Sequence, residues 1–167
     1  MRALSKTNVP VPKALWLEED ASILGTPFYV MERLEGRVFS DCSLPGVAAD
    51  HRQDMYLSMA RTMAQMHALR PEDIGLADYG KPGNYFERQI GRWSRQYAQS
   101  QGPKIAALDY LIDWLPRNMP KDDNAVSIAH GDYRLGNLMF HPTEPRVIAV
   151  MDWELSTLGH PLADLGY

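Results

Sequence analysis

Two short apolar runs near the end of the chain, joined by a proline-bounded turn and edged by polar residues, constrain the fold most. Leu138-Met139-Phe140 and Val147-Ile148-Ala149-Val150-Met151 have strand character, and His141-Pro142-Thr143-Glu144-Pro145 between them reads as a turn. The spacing predicts an antiparallel hairpin. A polar loop, His130 to Asn137, leads into the first run, and Asp152 follows the second. Antiparallel pairing sets the start of one strand beside the end of the next. Asn137 and Asp152 are therefore expected neighbours.

That juxtaposition has a chemical reading. One carboxylate and one amide oxygen are hard donors suited to Mg²⁺, which keeps water and phosphate oxygens in its other positions. Asp132 is left to accept a proton from an attacking hydroxyl. Metal on the phosphates and a carboxylate on the nucleophile is the division of labour in phosphoryl transfer. Either Asp132 or Asn137 alone is as well explained as a turn residue. Together with Asp152 they are better explained as a site.

The rest of the chain supplies a helical body and an opening strand pair. Val9-Pro10-Val11-Pro12 is extended, because proline disfavours helix in the residue before it. Leu15-Trp16-Leu17 and Phe28-Tyr29-Val30-Met31 read as antiparallel strands with Gly25-Thr26-Pro27 near the turn. A helix is expected from about Val47 to Leu69, with Tyr56, Met59, Ala60, Met63, Met66 and His67 on one face. The Met55, Met59, Met63 and Met66 series reads as core, since methionine fills irregular gaps. A second helix is expected from an Asn84 N-cap to about Gln101, with Phe86, Ile90, Trp93 and Tyr97 on one side. A third carries Ile105, Leu108, Leu111, Ile112 and Leu115 and is expected to stop at Pro116.

On the opposite side of the second helix lie Arg88, Arg92 and Arg95. A solvated helix face is one explanation. An electropositive patch for an anionic substrate, such as a carboxylate or the phosphates of coenzyme A, is the other.

Bulk properties narrow the field. The 167 residues carry a net charge of −4, against broad nucleic-acid binding, and are 45% hydrophobic and 23% charged, as in a soluble globular protein. No run approaches the roughly 20 apolar residues of a membrane span. The single cysteine, Cys42, cannot form an internal disulfide, which fits a reducing compartment. No secretion signal is legible, so the expected location is the cytoplasm or a soluble organelle space. His51, His141 and His160 lack a zinc-ligand spacing.

At this point the residues resemble a known family. His130-Gly131-Asp132-Tyr133-Arg134-Leu135-Gly136-Asn137 resembles the H-G-D-x-x-x-x-N loop of the aminoglycoside phosphotransferase family, relatives of the protein kinases and choline kinases. Met151-Asp152-Trp153-Glu154 resembles its I-D-W-E segment, and Gly159-His160-Pro161-Leu162-Ala163-Asp164-Leu165 its G-x-P-x-x-D-L element. Phe28 to Gly36 is similar to the hinge that holds adenine through backbone groups, and Arg61 to Leu69 to the L-A-x-L-H-x-L helix. The matches run in family order from Pro10 to Tyr167. Tyr85 to Tyr97 looks most like the kinase-like domain attached to some acyl-CoA dehydrogenases.

The resemblance implies an α+β, protein-kinase-like fold: hinge strands, a mostly helical C-lobe with a catalytic β-hairpin, and an N-lobe largely absent. Residues 1–36 would be the end of the N-lobe and the hinge, and residues 37–167 a partial C-lobe. It implies Asp132 as catalytic base, and Asn137 and Asp152 as Mg²⁺ ligands. Met31, Glu32, Arg33 and Leu34 would bind the nucleotide, with ATP as co-substrate. His130 and Asp164 would support the loop, with His67 packed nearby. It also implies a hydroxyl-bearing small-molecule substrate, a hydroxy acid or hydroxyacyl-CoA.

A glycine-rich phosphate loop and its lysine would precede the hinge. The hinge begins at Phe28, and Lys6 and Lys13 are the only lysines before it. The chain therefore reads as a fragment of a longer protein, with a reduced relative as the alternative, and is expected to turn over ATP poorly by itself. A non-catalytic binding or regulatory remnant is the rival function. A metal-dependent hydrolase built on His130 and Asp132 lacks a ligand set.

Overall fold

In the computed structural model, which describes residues 1–81, 83–100, 102–121 and 123–166, an antiparallel strand pair opens the chain. β1 (Ala14–Glu18) and β2 (Phe28–Met31) set Leu17 against Tyr29 and Glu18 against Phe28. Glu32 extends the ladder by one rung: its N–H donates to Lys13 O at 3.0 Å, while its carboxylate accepts from Lys13 N at 2.7 Å.

From there the chain crosses to the helical body. α1 (Ala49–His67) is two residues shorter at each end than the periodicity suggests. Its buried stripe is Met55, Thr62 and Met66, with Met59 and Met63 packed against the core. The methionines are thus core. The stripe is rotated from the expected face: Tyr56 is 42% exposed and Ala60 is exposed. The Tyr56 hydroxyl instead donates to Cys42 O at 2.6 Å, fastening the preceding loop.

α2 (Tyr85–Gln99) starts after Asn84, which holds the cap position in a left-handed conformation (φ 47°) without a side-chain capping bond. The expected end at Gln101 lies outside the described residues, as does Tyr167. α3 (Ala106–Asn118) runs through Pro116 instead of stopping there. A proline so near the C-terminal end removes one helical hydrogen bond, and the orphaned carbonyl lies on an exposed helix within reach of water. Phe86, Ile90 and Trp93 of α2 face Leu108, Leu111 and Leu115 of α3 across an apolar groove.

Four short strands and a final helical turn complete the fold: β3 (Ser127–Ala129), β4 (Leu138–Phe140), β5 (Val147–Val150), β6 (Thr157–Gly159) and α4 (Leu162–Leu165). β4 and β5 form the expected hairpin, pairing Leu138 with Val150 and Met139 with Ala149. β6 has no counterpart in the sequence reading; it pairs antiparallel with β3, Ile128 opposite Leu158. Arg37 ties the segment after β2 to the hairpin. Its backbone exchanges two 2.8 Å bonds with Phe140, and its guanidinium donates to His141 O and Glu144 O.

The core lies under this hairpin. Met55 and Met66 of α1 meet Ile128, Leu138, Phe140 and Val150. Leu4 and Val9, each 2% exposed, join the same cluster, and Val150 N–H donates to Pro10 O at 2.8 Å. The opening residues are therefore built into the floor of the β4–β5 hairpin.

Candidate active site

The loop before β4 is held in shape by a buried carboxylate. Asp164, on α4, accepts from His130 N at 2.9 Å through Oδ2 and from Gly131 N at 2.8 Å through Oδ1. His67 Nε2, at the end of α1, lies 2.8 Å from the same Oδ2. Burial alone would push the Asp164 carboxyl up. The bonds from His67, His130 and Gly131 outweigh it and hold the group below the usual carboxylate range. Gly131 turns the loop with φ +82°, and a Cβ there would sit 2.7 Å from Leu155 O.

His130 is fully buried, with both ring nitrogens engaged. Nε2 lies 2.8 Å from Met151 O, and Nδ1 accepts from Asp132 N at 3.3 Å. These partners place the ring proton on Nε2. The ring packs at a tilt against Trp153 (centroids 4.8 Å apart, planes at 53°) and meets Tyr133 edge-on at 5.9 Å. It is a bracket between the loop and the end of β5, not a base aimed at solvent.

Asp132 and Asn137 are directly joined. Asn137 Nδ2 donates to Asp132 Oδ2 at 2.8 Å and to Asp132 O at 2.9 Å. The Asn137 backbone carbonyl accepts from Met151 N at 2.9 Å, which brings the residue to the chain that carries Asp152. Asp152 itself is exposed and left-handed (φ 63°), at the head of the short turn Trp153–Leu155. Sequence reasoning passed over Arg134: its Nε reaches both Asp132 oxygens, at 3.1 and 3.2 Å. A cation two positions along a loop leaves no periodic signal.

Among the described residues no three His, Cys, Asp or Glu side chains gather as a metal cage. Mg²⁺ does not require one, since it is commonly held by one or two protein groups together with substrate phosphates. The Asn137 amide, with its nitrogen turned to Asp132, keeps its oxygen as the remaining donor. That oxygen and the Asp152 carboxylate are the right chemistry for such an ion.

Of the other expected site residues, Met31 ends β2, and Glu32, Arg33 and Leu34 follow it toward the Arg37 bridge. The three arginines of α2 separate. Arg88 and Arg92 line one recess, and Arg95 lines another with Lys104 and Asp109.

The profile of the Phosphotransferase enzyme family, the aminoglycoside phosphotransferase group, matches residues 1–167. The chain belongs to that family. Its fold is the kinase-like fold of these phosphotransferases. A candidate aminoglycoside phosphotransferase of Ralstonia eutropha shares 57% identity at a TM-score of 0.91, over 99% of this chain and 50% of that one. Acyl-CoA dehydrogenase family member 11 of Rattus norvegicus is 48% identical over 166 residues, 99% of this chain and 21% of the relative. The chain thus spans about a fifth of that curated relative. An aminoglycoside phosphotransferase crystallised with AMP-PNP and hygromycin B shares the fold at 17% identity and a TM-score of 0.68, over 98% of this chain and 57% of that one. Among the described residues, no helix is long and apolar enough to cross a membrane.

Proposed function

We propose that this family member transfers a phosphoryl group from ATP, with Mg²⁺, to a hydroxyl of a small molecule, a hydroxy acid or a hydroxyacyl-CoA. The observation that carries the reading is the position of Asn137. Its side chain fixes Asp132 while its carbonyl binds the strand end that leads to Asp152. One residue thereby couples a proton acceptor to a pair of hard oxygen donors.

In this reading Asp132 orients the acceptor hydroxyl and receives its proton. Asn137 and Asp152 would hold Mg²⁺, which supplies charge neutralisation on the phosphates when bound. Backbone groups of Met31, Glu32, Arg33 and Leu34 would take the adenine. His130 and Asp164 keep the loop in register, with Asp164 anchored on His67. Residues 1–36 would then serve as the end of the N-lobe and the hinge, and 37–167 as part of the C-lobe. The nucleotide analogue bound by the hygromycin-complexed relative supports ATP as co-substrate. The acyl-CoA dehydrogenase relative supports an acyl-type acceptor. The expected setting is the cytoplasm or a soluble organelle space, which suits the exposed free thiol of Cys42.

The test is calorimetric titration with ATP, with and without Mg²⁺, on the chain and on Asp152→Asn and Asp132→Asn. Mg²⁺-dependent binding that Asp152→Asn weakens about tenfold or more, and that Asp132→Asn spares, is expected. Nucleotide binding indifferent to both Mg²⁺ and Asp152 would refute the metal assignment. No binding at all would favour a non-catalytic module.

A further inference from the structure

The basic residues before and along α2 divide between recesses, and one recess leads to the catalytic loop. A cleft of about 420 Å³ is lined by Lys81, Arg88, Arg92, Glu154, Ser156 and Thr157. A neighbouring one of about 220 Å³ is lined by Tyr85, Arg92, Leu155 and Gly131. Gln89, Arg92 and Leu155 line both, so the two adjoin, and the narrower one reaches Gly131, the residue before Asp132. Three cations and one carboxylate, Glu154, face the wider one, in a chain whose net charge is −4.

The three cations are not equivalent. Arg88 donates to Gly83 O and, at 2.6 Å, to Lys81 O, so its guanidinium is committed to the loop before α2. It fixes the backbone that carries Lys81. Neither Lys81 nor Arg92 has an ion-pair partner among the described residues. The Arg92 guanidinium lies over the Trp93 ring, 5.5 Å from its centroid. This cation–π contact leaves its planar fork available and reduces the freedom lost when it pairs with an anion. A solvated helix face would explain an exposed arginine. It would not explain a recess shared with Gly131 or a lysine set on an arginine-anchored loop.

We propose that the acceptor carries an anionic group, carboxylate or phosphate, paired by Lys81 and Arg92 while its hydroxyl faces Asp132. This rests on the phosphotransferase reading of the same site and adds where the acceptor's charge is held and by which residues. Arg88 acts as a positioning residue, and Arg95 takes no part.

The test uses the whole chain and three probes on one three-carbon skeleton: glycerate, glycerol 3-phosphate and glycerol. Binding is read by NMR titration, with Mg-ATP binding measured in the same samples. At least one anion should bind roughly tenfold or more tightly than glycerol, as a charge-assisted pair requires. The better of the two anions identifies the group. Lys81→Ala with Arg92→Ala should erase the preference, Arg95→Ala should keep it, and Mg-ATP binding should be unchanged in all of them. Should the double variant unfold on a thermal melt, Lys81→Ala and Arg92→Lys singly carry the test, each reducing the preference severalfold. Equal binding of the three probes, binding of neither anion, or a preference untouched in the variants would overturn the proposal. Loss of Mg-ATP binding in the unaltered chain would instead count against the phosphotransferase reading.

Discussion

His67 Nε2 and Asp164 Oδ2 lie 2.8 Å apart, joining the last turn of α1 to the carboxylate that shapes the His130–Asn137 loop. The aspartate side chain is fully buried and the histidine nearly so, at 0% and 15% exposure. Through this contact a core helix, whose Met66 packs under the hairpin, sets where the Asp132 loop stands. The arrangement also ties this support to the ionised form of Asp164.

Asp164→Asn should therefore lower stability by roughly 2–4 kcal/mol, because an amide cannot accept from both loop N–H groups with two oxygens. The loss should depend on pH. The native carboxyl lies below its ordinary value of 3.8, so near and below that pH the unfolded chain binds more protons. The stabilisation is complete above about pH 4 to 5 and fades as pH falls through the native value. Urea unfolding from pH 7 to pH 3 should show the gap between the two proteins narrowing on the acid side. A gap constant over that range would remove Asp164 as its source.

Gly131 and Gly91 should respond in opposite directions to alanine. Gly131 sits at φ +82°, and a methyl group there would press on Leu155 O at 2.7 Å. Gly131→Ala should cost more than the 1–2 kcal/mol of a left-handed residue alone. Gly91 lies inside α2 and would meet only the flexible Arg95 guanidinium, at 3.4 Å. Gly91→Ala should gain about 0.5–1 kcal/mol by helix propensity. Urea midpoints of the two variants check both signs.

The hairpin of β4 and β5 was legible because its apolar runs are bounded by prolines and end in polar residues, so pairing alone predicts Asn137 and Asp152 as neighbours; the bond formed is from Met151 N, one residue before Asp152, to Asn137 O. The helices were legible by periodicity, but their edges and faces were not. The α1 stripe centres on Met55 and Thr62, and a buried threonine carries no apolar signal. α3 continues through Pro116 because the orphaned carbonyl can reach water there, a fact of exposure that the sequence does not record. β6, Thr157-Leu158-Gly159, is too short to show alternation, and it exists only because β3 lies beside it. Arg134 and Lys81 were hidden for a similar reason. Each acquires a role from a loop geometry that brings it to Asp132 or to the α2 groove.

Tyr133 should make stability fall on the alkaline side. Its hydroxyl donates to Met59 O at 2.8 Å, and burial, then the Asp164 charge, push its ionisation well above the ordinary value of 10. Above pH 10 the unfolded chain releases this proton while the native one keeps it, so unfolding becomes easier as pH rises. Tyr133→Phe should cost about 0.5–1.5 kcal/mol at pH 7. It should also flatten the stability decline above pH 10. Unfolding curves between pH 8 and pH 11 test this, and equal slopes for both proteins would count against a buried neutral phenol.

Asp152 offers a way to separate backbone from charge. Its φ of 63° lies in the left-handed region, which aspartate and asparagine tolerate and alanine does not. The side chain is exposed, so its removal loses no packing. Asp152→Asn should leave the urea midpoint within about 0.5 kcal/mol of the starting protein, whereas Asp152→Ala should lose about 1 kcal/mol or more. Both should weaken Mg²⁺-dependent ATP binding, because both remove the carboxylate. If the ion is held there, affinity tracks the charge and stability tracks the backbone, and the two variants separate the effects. Equal stability of the two variants would show that the turn at Trp153 relaxes around residue 152. Nucleotide affinity retained in the stable Asp152→Asn protein would move the metal away from this carboxylate.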